Sequence, residues 1–296
     1  MYLEPVPPEA LPAASLLKLP GPVTAERFCD NDGGYQRKYN VYKLTANGKS
    51  QVLKKSDSKE ATLYRDFLCG KGFAVPEYYN SVEHEGAVWL LMEHIDGPDL
   101  RQFDREKALA CAETLAQIQN AYWDRPIADG RFRRYWERVN RRARCLQDYP
   151  ELAKAYRLFL ARQEACPRTL CSGDFLQCNG ILCSGRVYMI DWAFGGLMPY
   201  ALDIARLIAH GSERLEPDAF PFYMDSELRS VFVRAHYERL EHKPDWEQYL
   251  QDIKLAALNE YAEFLEVQIN DPETSREELE AGFYYRRAVE TAKAIL

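Results

Sequence analysis

Three polar side chains lie close together in the sequence, where Asp174 is followed by Asn179 and, beyond a short turn, by Asp191. Phosphoryl transfer needs such a set, because one carboxylate positions the attacking hydroxyl while an amide and a second carboxylate hold magnesium on ATP. An Asp and an Asn at this spacing arise by chance more often than not, so the rest of the chain must support the interpretation. Phosphoryl transfer is therefore the leading hypothesis.

A two-residue turn is expected to bring Asn179 and Asp191 together. Ser184 and Gly185 separate two short β-favouring runs, which is a hairpin signal. Counting back from this turn across an antiparallel ladder places Asn179 opposite Ile190. Asn179 and Asp191 then lie at the open end of the hairpin, where an amide oxygen and a carboxylate suit Mg²⁺.

The bulk composition describes an enzyme-sized chain with no membrane signal. Its 296 residues are 47% hydrophobic and 28% charged, enough for one large domain or two lobes. No apolar run approaches the length of a membrane span and the start is unlike a signal peptide, so a cytoplasmic location is the default expectation. A net charge of -7 argues against nucleic-acid binding and favours cationic or neutral substrates. The oligomeric state stays open.

Cysteine and histidine do not form a recognisable metal pattern. Four of the eight cysteines crowd one segment, but no Cys-x2-Cys pair occurs there and no histidine is near. The cysteines are interpreted as reduced thiols in apolar surroundings. The five histidines are interpreted as surface or satisfied core side chains.

The chain divides into a strand-rich front, residues 1–96, and a helical remainder, residues 97–296. In the front part, strands are expected from Val23 onward, and Asn47-Gly48 predicts a type I′ hairpin. Asp57 and Glu60 match a capping box, which predicts a helix running to about Leu68. A buried strand is expected over residues 87–92.

After Pro98 the apolar residues recur at helical spacing. The predicted helices are Arg105–Tyr122, Arg131–Gln147, Pro150–Glu164, Tyr200–Ala209, Asp225–Arg239, Trp246–Ile269 and Arg276–Leu296. The fold class that follows is α+β, with a small antiparallel sheet and one helix in front of a mainly helical lobe.

This order of elements resembles the aminoglycoside phosphotransferase and choline kinase group of enzymes, which have a bilobal protein-kinase-like fold. The resemblance covers nearly the whole chain, and its most specific motifs are residues 172–179 and 190–192. It implies an ATP- and magnesium-dependent kinase whose acceptor is a hydroxyl of an amino sugar, an amino alcohol or a related metabolite.

The resemblance also implies roles for residues of the front lobe. Gly33 and Gly34 match the turn that covers the nucleotide phosphates, and Lys54 matches the strand lysine that contacts them, with Lys55 as the alternative. Glu60 would pair with that lysine, a role that can coexist with helix capping. The backbone groups of Glu93 and Ile95 would hold the adenine edge.

In the second lobe the resemblance makes Asp174 the catalytic residue and makes Asn179 and Asp191 the magnesium ligands. Asp203 matches an aspartate that supports the catalytic loop, and the alternative is an ordinary helix cap. One position departs from the family, because Ser172 stands where a histidine is usual. A catalytically inactive, nucleotide-binding pseudokinase with a regulatory role is therefore the alternative function.

Two charged runs point in opposite directions for the acceptor. The segment from Asp252 to Glu280 is acidic, as expected for ammonium-binding relatives, whereas the segment from Arg131 to Arg144 is rich in arginine. Each run is more simply explained as a solvated helix face. An anionic acceptor or partner stays possible.

Overall fold

The computed structural model describes residues 2–11, 17, 23–32, 35–124, 131–214, 216 and 218–296. The chain separates into two compact units, Met1–Gly97 and Pro98–Leu296. The first contains the antiparallel sheet and the second contains the long helices, so the predicted α+β class is confirmed.

The N-terminal unit is built on a six-stranded antiparallel sheet with the order β1-β2-β3-β4-β6-β5. Its strands are β1 Tyr2–Val6, β2 Val23–Asp32, β3 Tyr35–Ala46, β4 Lys49–Ser56, β5 Tyr78–His84 and β6 Ala87–Glu93. A core of Leu11, Ala25, Tyr42, Leu44, Leu53 and Leu91 packs on one face.

A local signal places the turn between β3 and β4 correctly. Asn47 and Gly48 have φ values of 51° and 73°, as a type I′ turn between β3 and β4 requires. The sequence did not indicate β1 and β5, which are the two edge strands. An edge strand tolerates a proline such as Pro5 and needs little apolar alternation, so its signal in the sequence is weak.

The predicted helix after β4 is present but changes form. Asp57 caps α1, Ser58–Thr62, by accepting from the backbone N–H groups of Lys59 at 2.9 Å and Glu60 at 3.0 Å. From Leu63 to Leu68 the chain winds as a π-helix, in which the N–H of Cys69 donates to the carbonyl of Tyr64 at 2.7 Å. The expectation of one regular α-helix to Leu68 is therefore wrong beyond Thr62.

The C-terminal unit contains eight α-helices within its described residues. They are α2 Arg105–Tyr122, α3 Arg131–Cys145, α4 Pro150–Ala165, α5 Ala201–Ala209, α6 Ser226–Arg239, α7 Trp246–Asn270, α8 Arg276–Ala281 and α9 Phe283–Ile295. Three short strand pairs join them: β7 Arg168–Cys171 with β10 Gly196–Pro199, β8 Gly180–Cys183 with β9 Arg186–Met189, and β11 Gly211–Ser212 with β12 Phe222–Tyr223.

The single helix predicted over Arg276–Leu296 is instead two helices separated at Gly282. Gly282 takes an extended conformation with ψ 155°, and the N–H of Phe283 donates to Asp218 Oδ2 at 2.5 Å. Asp218 lies far away in the sequence, so the helical period alone did not reveal this capping interaction. The long α7 packs against α5, α9 and α4, and forms the centre of this unit.

Candidate active site

The β8–β9 hairpin has the predicted geometry. Cys183 pairs with Arg186 across the turn, where Ser184 and Gly185 have φ values of 50° and 73°. At the other end the N–H of Ile190 donates to the carbonyl of Asn179 at 3.0 Å, so the ladder continues to the residue expected from counting. Asn179 and the residue after Ile190 therefore leave the hairpin at the same end.

Asp174 lies on the loop before this hairpin and is held by two side chains. Its Oδ1 accepts from Arg206 Nε at 3.0 Å and from Arg206 Nη2 at 2.7 Å, while its Oδ2 accepts from Asn179 Nδ2 at 3.0 Å. Burial raises the pKa of Asp174, and the Arg206 guanidinium acts in the opposite direction. The carboxylate is therefore fixed in orientation by two partners.

Asn179 and Asp191 carry the kinds of oxygen atom that magnesium prefers, an amide oxygen and a carboxylate. Asn179 Nδ2 donates to the backbone carbonyl of Asp174 at 2.8 Å as well as to its carboxylate. The amide oxygen Oδ1 accepts a weak contact from the Cys178 thiol at 3.7 Å and keeps a second lone pair for a hard cation. Asp191 lies near enough to Asp174 for its charge to raise the Asp174 pKa. Asp191 is also a non-glycine residue in the left-handed region, with φ 59°, as occurs where a side chain must be aimed.

Asp203 binds the backbone of the loop that precedes Asp174. It is fully buried at the start of α5, where Oδ2 accepts from the N–H of Ser172 at 2.7 Å and Oδ1 accepts from the N–H of Gly173 at 2.9 Å. Burial raises the pKa of Asp203 to about 6. The side chain thus binds the loop, and Ser172 adds its own hydroxyl to the same carboxylate at 3.3 Å.

Arg206 was not identified from the sequence, although it contacts the predicted catalytic aspartate. From α5 it also binds Glu260 Oε2 on α7 at 2.7 Å, and Glu260 in turn lies 3.4 Å from His210 Nε2. Burial acts to raise the pKa of Glu260, but Arg206 and His210 outweigh it and lower the pKa to about 2. The leucine-rich pattern around Arg206 indicated a helix, but no sequence signal indicated a partner 32 positions away.

The acidic and basic runs of the sequence bind each other. Arg141 and Arg142 on α3 pair with Glu266 and Glu263 on α7, and Arg162 on α4 pairs with Asp252 on α7 through two bonds of 2.7 Å and 2.9 Å. Arg142, Asp252, Glu260 and Glu266 are all buried. The interpretation of these runs as solvated faces is therefore wrong at these positions.

In the N-terminal unit, Lys54 and Glu60 form the expected ion pair. Lys54 Nζ lies 2.7 Å from Glu60 Oε1, and Ser56 Oγ donates to the other carboxylate oxygen. Glu60 is fully buried, whereas Lys55 is exposed, so Lys54 is the lysine that faces inward. A role of this pair in nucleotide binding stays a prediction.

The other predicted nucleotide contacts are less defined by the structure. Gly33 and Gly34 lie outside the described residues. The N–H of Glu93 donates to the carbonyl of Glu77 at 2.9 Å, so this N–H is already used within the sheet. Ile95 is buried directly after β6.

The structure also bears on the cysteines, on possible metal sites and on membrane-spanning helices. All eight cysteines are free thiols, as predicted. Across the described ranges, no group of three or more His, Cys, Asp or Glu side chains could hold a metal ion. Of the helices described, none has both the length and the apolarity needed to span a bilayer.

The fold matches those of known kinases. A choline kinase from Streptococcus pneumoniae has a TM-score of 0.61 at 15% identity and covers 97% of this chain and 99% of its own. An aminoglycoside phosphotransferase from Alicyclobacillus acidocaldarius has a TM-score of 0.57 at 17% identity, with 90% of each chain covered. An amicoumacin kinase in complex with AMP-PNP, Ca²⁺ and Ami has a TM-score of 0.59 at 14% identity and covers 90% of this chain and 88% of its own.

The sequence itself also matches a family. No curated protein sequence matches the chain significantly. The profile of a phosphotransferase enzyme family, APH, matches residues 39–249, which is most of the chain. The predicted resemblance and the predicted class of enzyme, a small-molecule kinase, are thereby confirmed, and the chain belongs to the APH phosphotransferase enzyme family.

Proposed function

We propose that the protein transfers the γ-phosphate of ATP, bound with Mg²⁺, to a hydroxyl group of a small molecule. The observation that carries the proposal is the arrangement around Asp174, a carboxylate held by Arg206 and Asn179 on a loop that Asp203 anchors. A positioned base of this kind is the element that a kinase needs in order to orient its acceptor.

Asp174 can accept a hydrogen bond from the hydroxyl group of the substrate. Its Oδ1 takes both bonds from Arg206, whereas Oδ2 accepts from Asn179 alone. Since a carboxylate oxygen can accept two hydrogen bonds, Oδ2 retains a lone pair for the hydroxyl proton. The raised pKa of Asp174 makes it a better proton acceptor than an exposed aspartate.

Asn179 and Asp191 are proposed to hold Mg²⁺ through one amide oxygen and one carboxylate. Magnesium commonly takes only one or two protein carboxylates and completes its shell with phosphates and water. A bound Mg²⁺ neutralises charge on the phosphoryl oxygens. The two hydrogen bonds from Asn179 Nδ2 fix the amide so that Oδ1 keeps its direction.

The nucleotide is proposed to bind to residues of the N-terminal unit. Lys54 would contact the phosphates and Glu60, which is fully buried, would keep its ammonium in place. Gly33 and Gly34 would cover the phosphates, and backbone groups of Glu93 and Ile95 would meet the adenine. The AMP-PNP complex of the structurally similar amicoumacin kinase supports the choice of ATP.

The test is ATP turnover with a panel of hydroxylated acceptors, measured for the wild type, Asp174→Asn and Asp148→Asn. Asp174→Asn is expected to lower kcat by roughly 10² to 10⁴ while ATP binding persists, because a positioned base contributes about this much. The exposed Asp148 in the same unit provides the control, whose activity should equal that of the wild type. ATP binding without acceptor-dependent turnover in the wild type would instead support the pseudokinase alternative.

A further inference from the structure

A cavity beside Asp174 in the C-terminal unit is lined by charged side chains of both signs. It has a volume of about 130 Å³, and its wall includes Asp174, Arg206, Glu263, Arg142, Arg138 and Phe194. The cavity is only partly enclosed, so its volume limits the group held beside Asp174 and not the whole acceptor. The part of the acceptor that lies beside Asp174 is therefore compact.

Two of the three arginines in this wall are neutralised by carboxylates. Arg206 binds Asp174 and Glu260, and Arg142 binds Glu263 Oε2 at 2.8 Å while donating to Asn259 Oδ1 at 2.8 Å. Each of these guanidinium groups therefore has its partner within the fold.

Arg138 differs from these two arginines. It lies one turn before Arg142 on α3 and is half-buried, yet within the described part of the chain its guanidinium forms no ion pair and no hydrogen bond. The guanidinium carbon of Arg138 lies 5.9 Å from the centroid of the Phe194 ring. Phe194 itself is 55% exposed on the loop that follows Asp191.

The surroundings of Arg138 leave its charge uncompensated. Burial and the neighbouring charge of Arg142 lower its pKa, and Glu263 and Glu260 offset this only in part. A cation that has lost part of its hydration without gaining a carboxylate is costly, so an anion from outside the fold would be bound favourably. The planar fork of a guanidinium matches a carboxylate or a phosphate.

We infer that Arg138 binds an anionic group of the acceptor, so that the substrate is a hydroxyl compound bearing a carboxylate or a phosphate. The hydroxyl would face Asp174 and the anion would face Arg138, with Phe194 covering the carbon frame between them. This inference rests on the proposed phosphotransfer function. It replaces the cationic or neutral acceptor that the net charge of the chain favoured.

The experiment uses matched pairs of small hydroxyl compounds, which can place a hydroxyl beside Asp174 and an anionic group beside Arg138. Each acid is compared with its neutral counterpart, for example glycerate with glyceramide and glycerol 3-phosphate with glycerol, and choline and kanamycin serve as cationic acceptors. Turnover and the melting temperature are measured for the wild type, Arg138→Gln, Arg138→Lys and Arg134→Gln. Arg134 is exposed on the same helix and is the matched control.

The wild type is expected to prefer an acid over its neutral counterpart, with kcat/KM higher by roughly 10- to 100-fold for a charged hydrogen-bonded pair. Arg138→Gln should abolish this preference through KM, Arg138→Lys should restore part of it, and Arg134→Gln should not change it. The class of acid that gives the higher kcat/KM, carboxylates or phosphates, identifies the anionic group.

The two proposals fail in different ways. Acid-specific stabilisation of the wild type that Arg138→Gln loses, without turnover of any acceptor, would support the anion site and overturn the proposed function. Turnover restricted to neutral or cationic acceptors, unchanged in Arg138→Gln, would overturn the anion site and leave the function standing. The absence of both turnover and acid-specific stabilisation would contradict both.

Discussion

Arg206 connects the predicted catalytic aspartate to the centre of the helical unit. It is largely buried and binds Asp174 on one side and Glu260 on the other. The pKa of Arg206 is raised, because the attraction of Glu260, Glu263 and Asp174 outweighs the lowering caused by burial. Loss of this guanidinium would leave two carboxylates without their cation.

We therefore expect Arg206→Met to lower the free energy of unfolding by about 3 to 5 kcal/mol, the usual cost of breaking a buried charged pair. The double variant Arg206→Met with Glu260→Gln should be less destabilised than the sum of the two single variants, since one of the unpaired buried charges is then removed. Urea unfolding of the two single variants and the double variant gives the coupling energy. Strictly additive effects would show that Arg206 and Glu260 do not act together.

At the residue scale, the sequence predicted candidate reactive side chains but not the partners that neutralise them. Asp174, Asn179 and Asp191 were found because their spacing is local, and Asn179 does contact Asp174. The partners Arg206 and Glu260 lie on helices that approach each other only in the folded chain. A run of like charges has the same sequence pattern whether it faces water or a run of opposite charge. The burial of these side chains could therefore not be predicted from the sequence.

Gly173, at the element scale, is required by two features of the catalytic loop. Its φ is +73°, and a Cβ atom at this position would lie 2.6 Å from the carbonyl oxygen of Phe194, which is part of the backbone. Gly185 in the hairpin turn has the same φ, but nothing lies within 4 Å of its Cβ position. Alanine variants at these two positions therefore separate the cost of a left-handed conformation from the cost of a steric clash.

Gly185→Ala is expected to cost about 1 kcal/mol of unfolding free energy, the price of a left-handed alanine. Gly173→Ala should cost about 2 kcal/mol more, because the loop backbone must also shift. It should lower kcat as well, since the N–H of Gly173 is one of the groups that Asp203 holds beside Asp174. Equal losses in the two variants, measured by thermal unfolding and turnover, would argue against a tight approach at Gly173.

His236 lies in the interface between α6 and α7 and makes the stability of that interface sensitive to acid. It is fully buried, its Nδ1 lies 2.9 Å from the hydroxyl of Tyr249, and burial lowers its pKa from 6.5 to about 3. The unfolded chain therefore binds an extra proton between these values. The stability contributed by neutral His236 is complete above pH 6.5 and is lost as the pH falls toward about 3.

From pH 7.5 to 5.0 this one group should remove about 2 kcal/mol of unfolding free energy. In His236→Phe the decrease over the same range should be smaller by that amount, whereas in the exposed control His242→Phe it should match the wild type. Urea unfolding at the two pH values measures both differences. An unchanged decrease in His236→Phe would place the acid sensitivity elsewhere.

Elements with strong local signals were predicted closely, and those defined by tertiary contacts were not. Helix α2 begins and ends at the predicted residues, Arg105 and Tyr122, because its apolar period is regular. The division at Gly282 depends on Asp218, and the π-helical turn after Thr62 leaves no periodic signature, so both were missed. The edge strand β1 was missed because it pairs along one side only.

At the scale of the whole molecule, internal ion pairs use several of the charged side chains in the acidic and basic runs of the helical unit. The net charge of -7 suggested that cations would be preferred as substrates, but Asp252, Glu260 and Glu266 are already paired with arginines. Net charge describes long-range attraction and solubility, whereas the acceptor meets only the charges left uncompensated in its cavity. Arg138 is such a charge among the described residues.

The proposed binding of the nucleotide phosphates by Lys54 and of Mg²⁺ by Asn179 and Asp191 gives a final prediction. ATP with Mg²⁺ at 100 times its Kd should stabilise the protein by about 2.7 kcal/mol, which corresponds to a rise in Tm of about 5 °C for a chain of this size. Chelation of the metal with EDTA should remove most of this rise, because Asn179 and Asp191 are proposed to hold the nucleotide through Mg²⁺. The measurement is the change in Tm on adding nucleotide, so a change in baseline stability does not affect it.

Lys54→Met should lose the nucleotide-induced rise, since it removes the ammonium proposed to contact the phosphates and leaves the buried Glu60 without that partner. Lys55→Met is the matched control, because Lys55 is the next residue on the same strand and is exposed. It should keep the full rise. Equal rises in the two variants would remove Lys54 from the nucleotide site, and a rise that persists in EDTA would show that binding does not require the divalent ion.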